Sequence, residues 1–136
     1  MPSPQATALA TQIQWLLNGD AWHGPNLEQL LDGMTATMAA HRPPGSAHAI
    51  QDLLAHIDAW HREVLAVVGG RAYRSMPDAE QWPGVTGRGD AASRRTIDDA
   101  GWRRVAESIF EHGRRLSEAV ARLDDAALAR PIEERD

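Results

Sequence analysis

The chain has 136 residues, a net charge of −5 and no cysteine. That length is one domain's worth, enough to bury roughly two thirds of the surface of the unfolded chain, and the missing thiols exclude disulfides, thiolate metal sites and a cysteine nucleophile. All 14 basic residues are arginine, and pairs such as Arg94-Arg95, Arg103-Arg104 and Arg114-Arg115 are interspersed with Asp and Glu, which argues against the basic stripe that a nucleic-acid partner requires.

The N-terminus, Met1-Pro2-Ser3-Pro4-Gln5, lacks a basic region followed by an apolar run, and nowhere do the ~20 apolar residues of a membrane span occur together. The expectation is a single cytoplasmic domain over residues 1–136 with no membrane partner. Leu9, Ile13, Leu16 and Leu17 recur near helical spacing and predict a first helix from about Gln5 to Leu17, stopped by Asn18-Gly19. Asn26 is placed to cap a short helix through Leu27, Leu30 and Leu31, and another short turn runs from Thr35 to His41.

Ser46 then caps a long helix that runs to Val68 and stops at Gly69-Gly70. At about 100° per residue, Ile50, Leu53, Leu54, Ile57, Trp60, Val64 and Val68 gather into one apolar stripe, with His56 on its margin beside Trp60. From Arg71 to Arg95 the period breaks down among Pro77, Pro83, Gly84, Gly87 and Gly89; this long loop has one apolar tie-down point, Trp82 next to Pro83. Thr96 caps a final long helix with Asp98 and Asp99 in its first turn and an apolar stripe of Trp102, Val105, Ile109, Leu116, Val120 and Leu123. One more short turn, Ala126 to Ala129, precedes Pro131.

No strand is expected. The pattern predicts an all-α, up-down helical bundle of three long helices plus short connectors. Three apolar stripes around one axis ordinarily need a fourth helix to close them, and this chain has none to offer. The five tryptophans read as core anchors.

The ordered string Ala21-Trp22-His23-Gly24-Pro25, Leu30-Leu31-Asp32-Gly33, Arg42-Pro43, His48-Ala49-Ile50 and Leu53-Leu54-Ala55-His56-Ile57-Asp58-Ala59-Trp60 resembles the DinB-like superfamily. The match continues through Gln81-Trp82-Pro83, Trp102 and Leu123-Asp124-Asp125-Ala126-Ala127-Leu128. The resemblance implies a four-helix bundle holding a divalent metal, nickel or zinc, on three histidines, and an enzyme of thiol S-transferase or hydrolase type in which the metal activates a low-molecular-weight thiol or a water. It assigns one ligand to His56, inside His56-Ile57-Asp58-Ala59-Trp60. The other two belong to a last helix in which two histidines lie one turn apart ahead of a Gly-Gln-Ile run. No such segment occurs here, so the chain reads as C-terminally truncated relative to the pattern.

A lone imidazole is a weak ligand, and a zinc site needs three or four donors. Either another chain supplies them in an oligomer or nearby residues substitute: His112 on the last long helix could face His56, and Glu63 and Asp52 share its margin. Without metal, His56 is a margin histidine bonded to a carbonyl or to Asp52. His61 reads as a core histidine, His48 as a brace at the helix start, His23 as an organiser of its connector, and Trp60 and Trp22 as cavity walls. Two functional readings stand: a metal-dependent enzyme taking a small-molecule substrate or thiol, and a non-catalytic bundle acting through homo-oligomerisation. Both predict a homodimer.

Overall fold

The computed structural model describes residues 1–86 and 93–133. Its elements in chain order are α1 (Pro4–Asn18), α2 (Leu27–Leu31), α3 (Ala36–Ala40), α4 (Ile50–Val68), α5 (Asp78–Gln81), β1 (Val85–Thr86), β2 (Ser93–Arg94), α6 (Asp99–Ala121) and α7 (Asp125–Ala129). Three helices of 15, 19 and 23 residues carry the all-α fold. The expected loop after α4 contains α5 and a two-residue antiparallel ladder, Val85 opposite Arg94 and Thr86 opposite Ser93, too small to form a sheet layer. The chain divides into two compact units, Met1–Asp32, His61–Ser75 and Phe110–Asp136 in one, Gly33–Trp60 and Met76–Ile109 in the other.

Helix starts follow local capping chemistry. Ser3 Oγ accepts the Gln5 amide and Pro4 occupies the first turn of α1, where its missing N–H costs nothing. Asn26 and Gln29 cap α2 reciprocally, at 2.8 and 2.9 Å. Thr35 caps α3 and Asp124 caps α7. Two caps differ from the sequence expectation. Ahead of α4, Ser46 turns its hydroxyl to the His48 carbonyl instead, and Asp52 reaches back to the Ala49 amide at 2.9 Å. Ahead of α6 it is Asp98, not Thr96, that accepts an amide, from Gly101 at 2.7 Å.

In the first unit, Ala10 of α1 meets Leu116 and Val120 of α6, with Ile13, Leu65, Val68 and Ala121 packed around them. Small residues set the spacing. Ser117 Oγ donates to the Ala10 carbonyl at 2.9 Å, and a Cβ at Gly113 would lie 2.7 Å from Leu17 Cδ1. The core face of α1 is thus Ala6, Ala10 and Leu17, while the expected Leu9 and Leu16 stand 47% and 44% exposed. In the second unit Trp102 and Ile109 are buried, and the Trp102 indole N–H donates to the Met34 carbonyl at 3.0 Å, tying the approach to α3 onto α6. The α6 stripe is the one its spacing predicts.

Helix α4 is rotated to roughly the opposite side from the one its apolar spacing predicts. Leu53, Ile57 and Val64 are 44%, 40% and 41% exposed, whereas Asp52, Asp58 and Glu63 are 3%, 8% and 5%. A buried charge is tolerated only when paired, and each acid here has a partner. Asp52 binds the Arg94 guanidinium at 2.5 Å, Asp58 accepts from Ser108 Oγ at 2.9 Å, and Glu63 binds Arg71 at 2.5 Å. Arg94 also reaches the Ala47 carbonyl, and Gln51 donates to the Arg95 carbonyl at 3.2 Å, so β2 is strapped to the start of α4. Replacing Asp52 by Ala leaves Arg94 unpaired and the Ala49 amide uncapped. A loss of about 3 kcal/mol is expected from a broken buried pair, read as a lower urea midpoint at unchanged slope; a loss below about 0.5 kcal/mol would overturn this account of the α4 face.

Candidate functional site

The residues that could carry chemistry sit where α4 meets the segment after α5. His56, half-buried, has its Nδ1 2.7 Å from the Gln81 main-chain oxygen. A carbonyl only accepts, so Nδ1 carries a proton, and in the neutral ring Nε2 is the nitrogen with the lone pair. Of the acceptors anticipated for a margin histidine, a carbonyl is the one found, and Asp52 is committed to Arg94 and Ala49.

Trp82 fixes the plane of that imidazole. Its ring lies 3.9 Å from the His56 ring at an interplanar angle of 11°, and 3.8 Å from the His48 ring at 3°. Two parallel imidazoles cannot share one indole face at these distances without overlapping, so Trp82 is sandwiched between them. Trp60 meets His56 edge-on at 6.4 Å. The Gln81 side chain donates to the Met76 carbonyl at 2.7 Å, which holds the carrier of the His56 acceptor in place. Trp82 is therefore the tie-down point that its position beside Pro83 suggests, with the His48 ring stacked on it as well.

The other candidates are placed elsewhere. His61 and His112 are half-buried in the first unit, and a Cβ at Gly113 would lie 3.2 Å from His61 Cε1. Glu63, offered as a carboxylate for His56, is bound to Arg71. Trp22 is 85% exposed and meets the exposed His23 edge-on at 5.3 Å, so it walls no cavity; Trp15 too is exposed, at 43%, which leaves Trp102 as the fully buried tryptophan. Among the described residues no group of three or more His, Cys, Asp or Glu is placed to hold a metal ion. The triple stack itself was not read from the sequence; its visible sign is a histidine pair eight residues apart with a Trp-Pro in the following loop.

Stacked aromatic pairs are worth about 0.5–1.5 kcal/mol each beyond their buried area, and Trp82 makes two. Trp82→Ala is expected to cost about 3 kcal/mol and to speed amide exchange selectively over residues 76–86. Uniform exchange along the chain would mean that Trp82 does not anchor this segment.

No helix among the described residues is long and apolar enough to cross a membrane. No curated protein and no solved structure matches the chain. A family model described as the DinB superfamily matches residues 21–136. That span takes in every element from α2 onward, with His56 and Trp82 inside it: the chain belongs to the DinB superfamily.

Proposed function

We propose that this chain is the His56-bearing part of a DinB-type metal protein of the thiol-transferase or hydrolase class, with nickel or zinc as its metal and the remaining donors brought by a second copy of the chain. The observation that supports this reading is the state of His56. Its Nδ1–H is spent on the Gln81 carbonyl, its ring plane is set by Trp82, and no hydrogen bond within the described residues occupies Nε2. Metal-ligating histidines are ordinarily oriented in this way, with the other ring nitrogen donating to a carbonyl or carboxylate. One donor does not make a centre, so a complete one needs further ligands from outside this set of residues. Purified protein equilibrated with nickel or zinc and dialysed is expected to retain ion in proportion to its oligomer, and His56→Ala to retain at least tenfold less. Equal retention by the two proteins would sink the proposal.

A second reading, association without catalysis, is favoured by the outward face of α4. Leu53, Ile57 and Val64 form an exposed apolar stripe on one helix, the kind of surface that monomers rarely leave open at large size. The stripe matches itself: an antiparallel pair of α4 helices that sets Ile57 against Trp60 also sets Leu53 against Val64, as a two-fold interface requires. Sedimentation equilibrium is expected to give a dimer that Ile57→Glu converts to monomer while the helical circular dichroism signal is kept. A wild-type monomer at high concentration would remove the association reading, and metal retention separates the two.

A further inference from the structure

A cavity of about 670 Å³ opens in the first unit, where the end of α4, α7 and the segment Pro131–Glu133 come together. Its apolar lining includes Val67, Val68, Leu123 and Leu128, and Arg71 and Arg130 supply two guanidinium groups. The outer wall is held by the main chain, since the Tyr73 amide donates to the Glu133 carbonyl at 3.0 Å. A volume of that order is typical of small-molecule pockets, which combine apolar walls with a few placed polar groups.

We propose that this cavity binds a small amphipathic carboxylate, an aliphatic acid whose body lies on the valine and leucine walls and whose anionic head meets Arg130 and Arg71. Arg71 is preorganised for the task. One of its terminal nitrogens is fixed 2.5 Å from Glu63 Oε2, with the Glu63 side chain 5% and the Arg71 side chain 39% exposed. The other makes only a long 3.4 Å contact to the Ala72 carbonyl. A guanidinium has five N–H donors, so Arg71, held by a buried acid and lining the cavity, keeps donors that these two contacts do not use. Arg130 is exposed and makes no ion pair among the described residues, which leaves it a full positive charge for the ligand. Glu133 lines the same wall, and with Glu63 behind Arg71 it balances the two arginines in charge, so an anionic head is selected by the guanidinium N–H donors and not by a net positive field. A carboxylate suits the site better than a cation or a neutral lipid because a charge-assisted, two-toothed contact to Arg is the strong polar interaction available there.

The probe is decanoate, titrated calorimetrically into the full chain, with decanol and inorganic phosphate as head-free and tail-free controls. One decanoate per chain is expected, with both controls at least tenfold weaker. Arg130→Gln and Ile132→Asp both change exposed residues, so the fold, checked by thermal melting, is kept. Each is expected to weaken decanoate at least tenfold, while Arg103→Gln on the other unit leaves it unchanged. Decanol binding as well as decanoate, insensitivity to both cavity variants, or one ligand per two chains would each overturn the assignment. Because His56 is not involved, the outcome is independent of metal retention.

Discussion

Three carboxylates buried on one helix constrain everything around them. Asp52, Asp58 and Glu63 all point inward from α4, and an acid removed from water without a partner costs several kcal/mol even after relaxation. Each must therefore be met by a group from another part of the chain. Arg94 comes from β2, Ser108 from α6 and Arg71 from the segment after α4. These pairings do little for net stability compared with apolar packing, but they are directional, so they determine which segment lies against which stretch of α4.

The site is a consequence of the first of them. With Arg94 drawn to Asp52, and Val85 paired opposite Arg94, the residues just ahead of β1 are delivered to the side of α4 as well. Those residues are Gln81 and Trp82, which supply the carbonyl and the indole that His56 uses. The ladder is too short to be stable alone; the buried Asp52–Arg94 pair and the His48–Trp82–His56 stack both hold it at its Val85–Arg94 end. Orientation of a single imidazole thus depends on a charge pair at another point of the same helix.

How far this could be read from the sequence follows from the kinds of contact involved. Capping at Asn26, the stops at Gly19 and Gly69, and the α6 stripe were legible because they are local: residue type and spacing determine them. The α4 face was not. Its apolar residues are spaced as a core stripe, and only tertiary partners reverse that assignment. Asp52 and Arg94 are separated by 42 positions and carry no mutual signature. Likewise Ala6 and Ala10 of α1 provide core where Leu9 and Leu16 were expected: Ser117 approaches the main chain at Ala10 closely, and Gly113 makes room for Leu17. His56 itself was identified through family resemblance, yet its acceptor is a main-chain oxygen 25 residues on, and every residue type has one.

The reversal of α4 also relates the two functional readings to each other. Turning its acids inward leaves Leu53, Ile57 and Val64 outside, and the same rotation leaves His56 at the boundary between the two faces, half-buried with Nε2 as its remaining acceptor. In the proposed dimer the apolar stripe would be covered and the imidazole would gain further donors by the same event, the arrival of another copy of the chain. In a two-fold contact each copy contributes what it receives, so an interface built on the stripe brings a second His56 with it. Two imidazoles still fall short of the three protein donors of a catalytic zinc site. A symmetric pair would therefore keep coordination positions open, which a thiol or water could fill, and association would then be the condition for metal chemistry and not its alternative.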